Sequence, residues 1–405
     1  MADRTVPRGT RATLGRVEGD LHVEAGVEIL GEGGPIVVTG EASFDGDAVV
    51  HAPLTARRLK VRRGRFVAED AVTVETELRG GDARVEIRGP LTALGVDVDR
   101  SLTLGGDATA QEIDVGGTFE AAKSVTFQRM SVGGRLKIDG LTTGRRVAVG
   151  GEGTLGALQI ERLEAGGRLD VAGGTVSESI EVGGSFRARG PLRFGEMEVG
   201  GVVEMAEGTG KSIEVGGRFR GSGDLTIDRF ELGGVGEIGG HLTTGTAEVG
   251  GVLRIQGNAT LTGPLEVGGR FEVGGIVRGE SAEVGGSFTA AGAAFTGSVE
   301  VGGTIVARDG LKAHDIELGR RGIAEGILVA ERIEIDRRAR ATALFARRVE
   351  VGADCQVGQI VGEVVEVGDD STVGTIEYVR SIRLGRNVKV GQPPVQRTEL
   401  PPFPL

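Results

Sequence analysis

A chain of 405 residues with 74 glycines and only 3 % aromatics lacks the large side chains that usually dominate compact cores, so smaller apolar residues must be buried another way. Eleven prolines and no glycine at every third place exclude collagen, while Val, Ile and Leu spread along the whole length exclude disorder. A formal charge of −11, from 58 acids against 47 bases, argues against nucleic acid as a partner, and the single cysteine excludes an internal disulfide.

Residues 1–10 are polar, carry no apolar core of the kind a secretory signal needs, and are expected to form a tail. No run of about 18 apolar residues follows anywhere, so no bilayer-spanning helix is expected and the cytoplasm is the expected compartment. Residues 11–110 show strand alternation with loose spacing, as in Val23-Glu24-Ala25-Gly26-Val27. No helical cap is legible between Arg11 and Val23. Val17, Leu21 and Val23 are therefore expected at an end free to pair.

From residue 111 to 310 the segment Glu-Val-Gly-Gly, or a near relative, recurs. Its valine position falls on Val115, Val132, Val149, Ala165, Val182, Val199, Val215, Leu232, Val249, Val267, Val284 and Val301, in steps of 16 to 18 residues. Inside one repeat the alternation is two, the period of a strand. Between Gly250 and Val267 the inward pairs are Leu253 and Ile255, Ala259 and Leu261, Leu265 and Val267, separated by the turn residues Gln256-Gly257-Asn258 and Thr262-Gly263-Pro264. Three short strands and three corners make a roughly triangular coil. The fold class is all-β, one long parallel β-helix (β-solenoid) with coils of about 17 residues. With strands about 4.8 Å apart, about 22 coils would make a rod on the order of 100 Å long. The residue three places after each first glycine forms a ladder through Phe119, Leu136, Leu169, Phe186, Val203, Phe219, Leu253, Phe271, Phe288 and Ile305. Glycine is expected at the corners for two reasons: positive φ, and collision of any side chain with the next coil.

Residues 311–391 keep the period but replace the second glycine with Arg320, Arg337, Ala353, Asp369 and Arg386. Ile382, Leu384, Val388 and Val390 stand at this end, which is expected either to be covered by the proline tail or to pair. Residues 392–405, rich in proline, cannot continue a sheet and are expected to be extended and largely disordered.

Several motifs look like chemistry and fail on context. Gly151-Glu-Gly-Thr-Leu-Gly156 fits a dinucleotide fingerprint, and Glu207-Gly-Thr-Gly-Lys-Ser212 resembles a phosphate loop, but no helix follows either to receive a phosphate. The second is expected to be a corner. His22, His51, His241 and His314 are scattered, and Cys355 alternates with Val357 as an inward apolar residue. No catalytic, cofactor or metal site is expected. The unusual surface feature is a column of acids at one outward position: Glu164, Glu181, Glu198, Glu214, Glu231, Glu248, Glu266, Glu283, Glu300, Glu317, Glu334, Glu350 and Glu366. It reads first as a solvated face whose repulsion is relieved by arginines such as Arg168, Arg218 and Arg270, and second as a docking ladder for cations or a basic protein.

Repeats of about 17 residues, three short Val/Ile/Leu strands per repeat, glycine corners and a proline-containing tail resemble the bactofilins, polymer-forming cytoskeletal proteins. The resemblance covers residues 11–391 and rests on the period. It implies a right-handed β-helix that polymerises end to end without nucleotide, with other copies of itself and cytoskeletal or envelope-associated proteins as partners. Two departures stand out: the solenoid is longer than is typical of the family, and residues 1–10 do not match the apolar membrane-binding segment many members carry, so direct membrane binding is not expected. The alternatives are a non-polymerising acidic rod that binds a basic protein, and a β-helix enzyme, which the missing cluster and pocket disfavour.

Overall fold

The computed structural model describes residues 3–404. Among them there is no α-helix, so none long and apolar enough to cross a membrane, and the strands pair in parallel from coil to coil. The chain divides into two compact units between Gly201 and Val202. Each is a β-solenoid built on the plan the repeats predict.

The first unit begins earlier than expected. Arg4–Val6 is a strand that pairs in register with Leu21–Val23, and Arg11–Leu14 and Arg16–Val17 complete the first coil against Val27–Gly31 and Ile36–Phe44. The stretch expected as a polar tail is therefore part of the solenoid, because Arg4-Thr5-Val6 alternates in phase with Leu21-His22-Val23. The looser spacing of this region is visible in the register: His22 pairs with Ser43, 21 residues on.

In the second unit, Val252–Ile255, Ala259–Leu261 and Pro264–Val267 form the three sides of one coil, and all six predicted inward residues are buried. The core ladder runs in register from Leu253 through Phe271 and Phe288 to Ile305. The rings of Phe271 and Phe288 lie 5.6 Å apart, tilted at 44°. Two rungs that the sequence ladder skips belong to Gly153 and Gly236, where the Cδ1 atoms of Leu169 and Leu253 occupy the space a Cβ would take. Eleven of the 13 phenylalanines are buried; Phe345 and Phe403 are half-buried.

The Val-Gly-Gly corners require glycine for one of the two expected reasons. Their glycines are not in the positive-φ region. A Cβ on Gly134, however, would lie 2.5 Å from the carbonyl oxygen of Gly117, and one on Gly167 2.6 Å from that of Gly151. Close stacking of corner on corner excludes the side chain. Positive φ is found at other glycines, such as Gly26 and Gly64, and at non-glycine residues of the later coils, Arg321, Arg338, Asp354, Asp370 and Asn387, each directly after the residue that replaces the second glycine.

The C-terminal stretch touches the solenoid at two places. Val395–Gln396 pairs in parallel with Glu377–Tyr378, the backbone N–H of Arg397 donates to the Tyr378 carbonyl at 2.7 Å, and its guanidinium holds Glu377 at 2.9 Å. The chain then runs back until Phe403 meets Phe345, ring centroids 6.2 Å apart. The disorder expected from the prolines is overridden because the strand Val395–Gln396 lies between the proline pairs, and Phe345 offers an outward aromatic surface.

Candidate interaction surfaces

The acidic column is real. In the first unit Glu164, Glu181 and Glu198 occupy consecutive rungs. In the second, Glu214, Glu231, Glu248, Glu266, Glu283, Glu300, Glu317, Glu334, Glu350 and Glu366 stack in register, and Arg383 is the last rung. The glutamates form one wall of a trough whose floor is the glycine corner: Glu164, Glu181 and Glu198 stand beside Gly166, Gly183 and Gly200.

Relief of repulsion differs from the expectation. Arg270 pairs with Glu272 at 3.2 Å, and among the described residues Arg168 and Arg218 make no ion pair, since the glycine corner separates them from the column. Relief comes from the position two residues before the glutamate. Arg229 reaches Glu231, Arg332 reaches Glu334 at 2.9 Å and Glu350 at 3.4 Å, and Arg348 reaches Glu350 at 2.6 Å. Between them that position holds Thr246, Pro264, Ser281, Ser298 and Asp315. Glu248, Glu266, Glu283, Glu300 and Glu317 have no ion-pair partner among the described residues. Burial first, then repulsion from Glu300 and Glu334, holds the Glu317 carboxyl above its ordinary range. A neighbouring column of the same unit alternates in sign: Arg220 pairs with Glu237 at 2.9 Å and Arg254 with Glu272 at 2.7 Å.

Of the residues expected at the ends, Val17, Leu21 and Val23 are buried. Leu21 and Val23 lie one coil in, beneath Arg4 and Val6. At the other end Leu384 is 40 % exposed, and Ile382, Val388 and Val390 are half-buried. A collar of cations surrounds them, each laid over an acid of the preceding coil: Arg380 on Glu363 at 3.1 Å, Arg383 on Glu366 at 3.7 Å, Arg386 on Asp369 at 2.9 Å.

One side-chain chain went unnoticed in the sequence. Ser43 Oγ lies 3.0 Å from His22 Nδ1, and His22 Nε2 lies 3.2 Å from Asp45. The order of residue types is that of a hydrolase relay, but Ser43 is only 8 % exposed and its hydroxyl also lies 3.4 Å from the Leu21 carbonyl, so it is not presented to a substrate. The cluster ties two coils together. His314 points outward beside Asp315 at 2.9 Å. Cys355 is buried, its Sγ 3.1 Å from the Asp336 carbonyl, and burial pushes the thiol up, away from the reactive thiolate. Gly151–Gly156 crosses into the strand Glu152–Ala165, and Gly208–Val215 is a strand where a corner was expected. No group of three or more His, Cys, Asp or Glu among the described residues is placed to hold a metal ion. Comparison with known proteins finds no matching family model, curated protein or solved structure.

Proposed function

We propose that the protein is a structural, non-catalytic scaffold of the cytoplasm that assembles end to end without nucleotide, through the C-terminal end of its second unit. The observation that carries this reading is Leu384. It closes the strand Thr372–Leu384, whose last residues, Ser381–Leu384, pair with Val364–Val367 on one side and with no described strand on the other, and it is 40 % exposed beside Ile382. A sheet end with unpaired backbone and open core is either covered or used. The tail does not cover it, because Val395–Gln396 sits over Glu377–Tyr378 and Phe403 is drawn back to Phe345. The equal end of a second copy is equally apolar, and pairing the two gives a two-fold contact. The bactofilin-like period points the same way. Leu384→Asp tests the contact: self-association seen by sedimentation should be lost, and an unchanged association would remove this end from the account.

A second reading rests on the five unpaired glutamates from Glu248 to Glu317. A chain that alternates charge in one column and leaves another uniformly acidic offers that face to a basic protein segment or to cations. Thermal melts with and without divalent cations test the cation form, and an unshifted midpoint would exclude it.

A further inference from the structure

The N-terminal end of the first unit and the C-terminal end of the second unit are not equivalent. In the first unit the inward column runs from Leu21 through Ala42, Leu59, Leu78 and Val96 to Ile113, and every one of these is buried. Its first rung among the described residues is Arg4, paired with Leu21. Arg4 thus stands at an inward apolar position yet remains exposed, and its Nη2 donates across the coil mouth to the carbonyl of Thr13 at 3.5 Å. Leu21 beneath it is fully buried, as the aliphatic stem of an arginine permits while the head stays in water. The corresponding inward column of the second unit runs Val349, Val365 and ends on Ile382, which is apolar and half-buried.

We propose that Arg4 closes the N-terminal end of the first unit against a second copy of this chain, so that association at the C-terminal end stops at pairs and does not propagate. An inward-pointing charge on an edge strand is a means of blocking sheet-to-sheet addition. Any copy stacking on this end must desolvate the guanidinium against apolar side chains and displace it from Thr13, an uncompensated burial that disfavours the contact. The pairing half of this proposal rests on the function proposed above; the closure of the N-terminal end stands on Arg4 alone.

The test uses the full chain. In a Leu384→Asp background, which removes the C-terminal contact, Arg4→Leu is expected to convert a monomer into a concentration-dependent pair in sedimentation equilibrium, with at least tenfold tighter association. Arg4→Lys in the same background is expected to stay monomeric. With the C-terminal end intact, Arg4→Leu alone is expected to give species larger than pairs, visible as short filaments by electron microscopy. Circular dichroism and an unchanged melting midpoint confirm that each variant is folded. If folded Arg4→Leu/Leu384→Asp stays monomeric, or if Arg4→Lys associates equally well, the closure is overturned. A wild-type chain that never pairs overturns the C-terminal contact and leaves the comparison at Arg4 intact.

Discussion

Glu317 stacks directly on Glu300 in parallel register, and the two residues that precede them by two places, Ser298 and Asp315, supply no positive charge. Like charges facing each other on adjacent strands are destabilising by a few tenths to about 1 kcal/mol. The charge-paired column of the same unit shows that the fold does not impose this repulsion.

Glu300→Gln should therefore stabilise the protein, raising the melting midpoint by about 1–3 °C at low salt. The gain should shrink as salt screens the column. Glu237→Gln, which breaks the pair with Arg220, should give no gain. Equal midpoints for Glu300→Gln and wild type at low salt would contradict the uncompensated column.

The pH dependence has a definite sign. Glu317 is held above its ordinary range by burial and by Glu300 and Glu334, and Asp97 by burial and then by Asp99 and Asp114 against the opposing pull of Arg79. A carboxyl whose folded pKa is raised adds stability as pH falls through that value, and the gain is complete below its unfolded value. His314, raised by its hydrogen bond to Asp315, acts in the same direction at higher pH: its contribution is complete below 6.5 and lost as pH rises through the folded value. Glu86, held down by the Arg65 hydrogen bond, and Asp369, held down by the Arg386 backbone and side chain, act oppositely and lose their contribution as pH falls through their folded values. The melting midpoint should rise on mild acidification from neutrality and fall again at more acid pH, once the groups held down in the folded state protonate. Glu317→Gln should flatten the rise. A midpoint that only falls on acidification from neutrality would contradict this balance.

Gly134→Ala should cost about 1–3 kcal/mol, since the new Cβ meets the Gly117 carbonyl oxygen at 2.5 Å and neither corner can yield without the next. Gly95→Ala should fall within about 0.5 kcal/mol of wild type, because its nearest neighbour would be 3.9 Å away. Denaturant midpoints of the two variants separate stacking from glycine content as the cause.

The docked tail predicts protection. Trypsin cleavage after Arg397 should be slow while that residue holds Glu377 and Tyr378, and Phe403→Ala should speed it several-fold with the solenoid intact. Equal rates would mean that the Phe345–Phe403 contact does not secure the tail.

The period of 16 to 18 residues made the coil, its three sides and the inward residues legible, because a strand on a solenoid has one buried face and the alternation is repeated many times over. The acidic column followed from the same register. What stayed illegible depends on single rungs. Arg4 reads as a surface arginine until the phase of Arg4-Thr5-Val6 is set against Leu21-His22-Val23. The His22–Ser43 contact is hidden by the longer first coils, which break the 17-residue step. The tail departs from the expectation because two residues between prolines, Val395 and Gln396, suffice for pairing when Glu377 and Tyr378 present a free edge.

The most direct test of the account is sedimentation of the wild-type chain across a concentration and salt series. The C-terminal contact brings the arginine collars of two copies together, Arg380, Arg383 and Arg386, so salt should strengthen it by screening like charges. The account predicts a monomer–pair equilibrium that tightens with salt and is abolished by Leu384→Asp. A chain that stays monomeric at every concentration and salt, or pairs identically with Leu384→Asp, would contradict it.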